Sequence, residues 1–88
     1  MAMILNEIAN LTNDNMHTEA HIQGCLYLGL PEDGYMITSL RNIEKRQNEL
    51  GHLSYEDSQN RYALYKDMMN MAKLIMGENE YQEFYGSF

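Results

Sequence analysis

Apolar residues recur along this chain at helical spacing, and residues that favour caps and turns fall between the periodic runs. Ile4, Leu5, Ile8 and Leu11 share one face of a first helix over about residues 2–11, closed by Thr12-Asn13-Asp14-Asn15. A second helix is predicted from about Met16 to Leu28, with Ile22, Cys25 and Leu26 on one side and Gly29 as its stop. Residues 24–30 also read as a short apolar strand, but no partner strand is visible elsewhere, so the helix is preferred. Pro31-Glu32-Asp33 suits a helix start, since proline has no amide to leave unbonded and acids favour the first turn. Met36, Ile37, Leu40, Ile43, Gln47 and Leu50 carry that third repeat to the terminator Gly51.

Ser54, with Asp57 three residues on, marks the start of a fourth helix from Tyr55 to Met76, stopped by Gly77. Beyond it, Tyr81, Phe84, Tyr85 and Phe88 fall at i, i+3, i+4 and i+7, so a last helical segment sets four aromatics on one side. The expected fold is all-α in a single domain, residues 1–88. An antiparallel hairpin of helices, about 31–50 and 54–76, is joined through His52-Leu53 and flanked by short helices. Residues 77–88 form a short acidic, aromatic C-terminal segment.

The fourth helix is apolar over an unusually wide arc. Tyr62, Tyr65, Met69, Ala72 and Met76 make one ridge, and Leu64, Met68, Met71 and Ile75 a second. Only Lys66, Asp67, Asn70 and Lys73, near Ala63, make a polar stripe. A surface helix normally has a narrower apolar face. The expectation is that this helix is the centre of the domain or is covered by a second copy. Self-association through Tyr62, Tyr65, Met68, Met69, Met71 and Met76 would give a homodimer or larger assembly.

Composition supports a folded chain: 44% of residues are hydrophobic and there is one proline. The single cysteine excludes an internal disulfide and suits a reducing compartment. No stretch approaches the roughly 18 apolar residues of a membrane span. Met1-Ala2-Met3-Ile4-Leu5 lacks the basic region of a signal peptide, so a cytoplasmic location is expected. The net charge of −7 is unevenly placed. Residues 1–40 hold five acids and no Lys or Arg, residues 41–76 hold all six bases against five acids, and residues 77–88 add Glu78, Glu80 and Glu83. Direct DNA binding is disfavoured, because phosphate affinity needs clustered cations. A partner with a basic surface is favoured instead.

Four constellations invite chemistry. His17, His21 and Cys25 are spaced i, i+4 and i+8 and form one slanting row, from which zinc takes imidazole and thiolate ligands. The row lacks a fourth ligand, and H-T-E-A-H is not H-E-x-x-H, so no metal or other cofactor is expected. Cys25 beside His21 has the types for nucleophilic catalysis but no nearby cation to activate the thiol. Glu32-Asp33 and Glu56-Asp57 are paired acids at helix starts, where they complement the dipole. Arg41, Lys45 and Arg46 form a short basic face interrupted by Glu44 and Glu49. If gathered, these cations would hold a small phosphate or nucleotide at a subunit interface.

No catalytic set is complete, and an enzyme is not expected. The reading that follows is a small acidic helical module that binds another protein in a regulatory or inhibitory role, with Tyr81, Phe84, Tyr85 and Phe88 as anchors among Glu78, Glu80 and Glu83. In size and charge, though in no motif, the chain resembles phage-encoded inhibitors that occlude a basic site on a nucleic-acid enzyme. The alternatives are the anionic-ligand binder and a metal-binding domain using His17, His21 and Cys25.

Overall fold

The structure, a computed structural model, describes residues 2–88, with side chains from residue 5 onward. Among the described residues the chain is all-α, with five helices: α1 (Ala2–Asn13), α2 (His17–Tyr27), α3 (Tyr35–Leu50), α4 (Tyr55–Ile75) and α5 (Glu78–Gly86). Ile4, expected on the apolar face of α1, lies outside the described side chains.

The helix ends follow from local chemistry. Asn15, in the left-handed region at φ 62°, closes α1: Met16 N donates to Leu11 O at 2.8 Å and Asn15 N to Thr12 O at 3.0 Å. Gly29, at φ 83°, closes α2 through the same pair of bonds, Leu30 N to Cys25 O and Gly29 N to Leu26 O. At the start of α4 the Ser54 hydroxyl accepts from Asp57 N at 3.1 Å, as its position before the apolar repeat predicts.

The start of α3 differs from expectation. Gly34 N donates to Pro31 O at 3.0 Å, so Pro31–Gly34 is a tight turn with glycine in its last position, and the helix begins only at Tyr35. Gly34, extended at ψ 168°, cannot continue a helix from Pro31.

The centre of the bundle also differs. α2, not α4, is the hub, and it packs against α1, α3 and α4. It buries Thr18, Ala20, His21, Ile22, Gly24 and Cys25, residues that point around much of its circumference. Small Ala20 and Gly24 let neighbours approach closely, an advantage that apolar periodicity does not register. Leu5 and Ile8 from α1, Ile37, Leu40 and Ile43 from α3, Leu64, Met68, Met69 and Ala72 from α4, and Phe84 from α5 complete the core. The hairpin of α3 and α4 is present and is clamped by Arg46 and Asp57. α5 folds back to touch α1 and α4. The Cα radius of gyration of 12.6 Å is that of a compact chain of this length. No helix among the described residues is long and apolar enough to cross a membrane.

Candidate functional site

The C-terminal aromatics do not share one fate. Phe84 is fully buried, with its ring stacked on Tyr27 at 5.7 Å and edge-on to Phe88 at 5.1 Å. Half-buried Phe88 lies 5.7 Å from His21 and 5.9 Å from Tyr65. Tyr81 is half-buried under the Lys73 ammonium, 5.7 Å from its ring centre, and Tyr85 stays 52% exposed. Glu78, Glu80 and Glu83 are exposed. The Thr12 hydroxyl donates to Ser87 O at 3.0 Å, which pins the end of the arm to α1.

The wide apolar face of α4 is divided in a similar way. Met68 and Met69, expected on a self-association surface, are buried in the chain's own core, where α4 packs on α2, α3 and α5. Tyr65, Met71 and Met76 are half-buried and Tyr62 is exposed. The aliphatic residues of α4 left in water are Leu74, 85% exposed, and Ile75, 63% exposed, in the last turn; Tyr55, at its start, is 80% exposed. Leu74 was missed in the sequence, although the signal was there. It lies four residues after Asn70 and seven after Asp67, on the polar stripe, where a leucine has no core to meet.

Arg41, Lys45 and Arg46 are not gathered into an anion site. Arg41 faces Glu32 at 3.6 Å, and Lys45 is exposed. Arg46 grips Asp57 with two parallel bonds, Nη2 to Oδ1 at 2.8 Å and Nε to Oδ2 at 2.9 Å. That fork holds the Asp57 carboxyl below the usual carboxylate range, with help from the Ser54 cap. The sequence marks Asp57 as a first-turn acid three residues after the Ser54 cap; its partner comes from another helix, which spacing does not reveal. The groove of about 280 Å³ between α3 and α4 is lined by Asn42, Asn60, Asp67 and the already committed Arg46, and it offers no free cation.

The His17–His21–Cys25 row is present along α2 but does not assemble into a ligand set. Cys25 is fully buried and burial pushes its thiol up to about 11, so it is protonated at neutral pH. Burial, Arg61 and His17 together hold His21 down at about 4, so its ring is neutral. Among the described residues no group of three or more His, Cys, Asp or Glu is placed to hold a metal.

The structure does assemble a group that spacing alone did not suggest. His21, Ser58, Arg61, Tyr62, Tyr65 and Phe88 line an open cavity of about 210 Å³ between α2 and the first half of α4. The rings of His21 and Tyr65 are 5.0 Å apart, and those of Tyr62 and Tyr65 are nearly parallel at 6.5 Å. Arg61 Nη1 donates to Thr18 Oγ1 at 2.9 Å. His21 and Arg61 lie 40 positions apart in the chain and Phe88 stands at its end, and only the packing of α2, α4 and the C-terminal arm joins them.

With this geometry described, the chain can be set beside known proteins: no family model, no curated protein and no solved structure matches it.

Proposed function

We propose that this chain is a protein-binding regulatory module, an inhibitor whose partner presents an apolar hollow ringed by Lys and Arg. One observation carries the reading. Leu74 and Ile75 stand 85% and 63% exposed at the end of α4, directly before an α5 that displays Glu78, Glu80, Glu83 and Tyr85 to solvent. Burying an exposed Leu or Ile contributes about 1.5–3 kcal/mol, so leaving two adjacent ones in water points to a contact that removes them from it. The exposed carboxylates of the helix that follows would steer a cationic surface toward this end of the chain and add no affinity for DNA itself. A partner whose basic surface normally holds nucleic acid fits this arrangement, since exposed carboxylates stand in for phosphates.

The test is competitive capture. A protein retained from the native host by the immobilised chain is expected to be released by duplex DNA and by salt. Capture is expected to fail with Leu74→Asp plus Ile75→Asp, but not with Tyr35→Ala, an exposed aromatic at the start of α3. Retention indifferent to DNA and to both aspartates rejects the reading. A second copy of the chain is the rival occupant. Light scattering that gives a multiple of 10.3 kDa, reduced to one chain by the same aspartates, would assign the face to self-association instead.

A further inference from the structure

We infer that the cavity between α2 and α4 binds a small aromatic carboxylate, its carboxylate on Arg61 and its ring against Tyr65 and Phe88. The inference is independent of the docking face at the far end of α4. It starts from an imbalance among the three arginines. Arg41 faces Glu32 and Arg46 is forked to Asp57, but Arg61 has no carboxylate within 4 Å among the described residues. Its one side-chain bond goes to a neutral hydroxyl, that of Thr18. A guanidinium carries five N–H donors in a planar fork. A half-buried one left without an anion is costly unless an anion arrives. The Ser58 proton is spent on Tyr55 O at 2.7 Å, so Arg61 is the charged donor that faces the space.

A second, independent observation is His21. The residue, which lines the same cavity, is 9% exposed, and its Nδ1 is buried with no hydrogen-bond partner. Buried polar atoms are paired in the great majority of cases, and the exceptions tend to mark sites completed by something else. With the imidazole neutral, the guanidinium is the one cation among the residues that line the cavity, and the Lys66 ammonium sits outside that lining over the Tyr62 ring. One fork-shaped cation suits a planar monoanion; a phosphate dianion is better served by several cations.

The walls set the rest of the ligand. Tyr62, Tyr65 and Phe88 offer ring faces and edges at stacking distances, with Lys66 held 4.9 Å over the outer ring. The volume of about 210 Å³ is below that of pockets for drug-sized molecules, which run from about 300 Å³, so a single ring system is the fitting size.

The experiment is an NMR titration of the full chain, reading the His21 ring signals and the Arg61 Nε–H. Benzoate and indole-3-carboxylate are the probes; benzamide and inorganic phosphate are the controls. The two carboxylates are expected to move both sets of signals saturably, and the controls to leave them in place. Arg61→Gln is expected to weaken binding about tenfold or more, a loss of about 1.4 kcal/mol. Because Arg61 also bonds Thr18, Tyr62→Ala serves as the second variant: it removes an exposed ring wall and is expected to weaken binding without moving the melting temperature. No saturable shift with either carboxylate overturns the inference. So does equal binding of phosphate, or binding unchanged in both variants.

Discussion

Phe84 and Tyr85 are consecutive residues of α5, yet Phe84 has no exposed surface and Tyr85 keeps 52% of its own. One residue turns a helix by about 100°, and on this short arm that rotation separates two different jobs. The inner face, Phe84 with Phe88, is wedged against Tyr27, Tyr65 and His21 and completes both the core and the cavity wall. The outer face, Tyr85 with Glu78, is the opposite, solvent side of the arm, while the exposed carboxylates of Glu80 and Glu83 flank the inner face near Tyr27. Identical spacing arguments apply to both faces. What differs is whether another element lies opposite, so changes on the inner face should be read in stability and changes on the outer face in binding.

The largest effect is expected from Phe84→Ala. A fully buried phenyl ring leaves a cavity that its neighbours only partly fill, and the cost is about 3–5 kcal/mol. In a domain this small that is a large share of the total stability. Chemical denaturation should show it as an earlier midpoint. A melting curve like that of the wild type would mean that the arm does not pack as described.

Next in size is a pH effect on the same inner face. His21 is held at about 4 in the folded chain against 6.5 when free, first by burial, then by Arg61 and His17. The unfolded chain therefore binds more protons in that window, and stability is present above about 6.5 and is lost as the pH falls toward about 4. The full swing is on the order of 3 kcal/mol. Glu44 opposes it. Burial and a hydrogen bond with Glu19 raise its carboxyl from 4.5 to about 7, so its contribution is present in acid and is lost as the pH rises through that range. The two slopes partly cancel between about 4.5 and 6.5. Glu44→Gln should therefore steepen the acid loss of stability, and a flat profile in that variant would remove His21 from the account.

A smaller loss is expected from Gly24→Ala. Alanine favours a helix interior by about 1 kcal/mol, but its Cβ would stand 2.6 Å from the Phe88 ring and 2.9 Å from the Met68 sulfur. Overpacking of this kind costs about 1–3 kcal/mol, so the net loss is about 1 kcal/mol. Phe88 is the far end of a side chain and can move aside, which would also displace one wall of the cavity and weaken benzoate binding. A variant more stable than wild type would show that Phe88 is not seated there.

The sequence made the helices and their ends legible because both are local. Asn15, Gly29, Gly51 and Ser54 act on their own backbone, and apolar repeats state which face turns inward. It misplaced the start of α3, because Pro-Glu-Asp-Gly is chemically suited both to a helix entry and to the turn that forms. It missed the hub role of α2, since small residues such as Ala20 and Gly24 add little to an apolar repeat while permitting close packing. The Arg61 cavity was illegible for a different reason. Thr18 and His21 come from α2, Arg61 and Tyr65 from α4 and Phe88 from the end of the chain, and no spacing rule links them.

The smallest expected change in stability is the sharpest test of the comparison. Tyr85→Ala removes a ring already half in water, so melting should shift by no more than about 0.5 kcal/mol, the usual range for a surface change. Its packing partner within the chain is Tyr81, 6.1 Å away, and that ring stays held under Lys73. If the outer face is a contact surface, the same variant should weaken partner capture about tenfold, equivalent to about 1.4 kcal/mol, because an aromatic at an interface contributes only when its partner excludes water from it. Leu74→Ala should behave alike, with melting unchanged and capture weakened, since its side chain is 85% exposed and has no core to lose. Charge reversal at Glu80 and Glu83 should act mainly on the association rate and its dependence on salt. The pattern to look for is therefore a separation of readouts: Phe84→Ala lowers melting and weakens capture only through unfolding, whereas Tyr85→Ala and Leu74→Ala weaken capture at constant melting. If Tyr85→Ala lowers melting as much as Phe84→Ala does, the two faces are one packed structure and the docking role of this arm is lost.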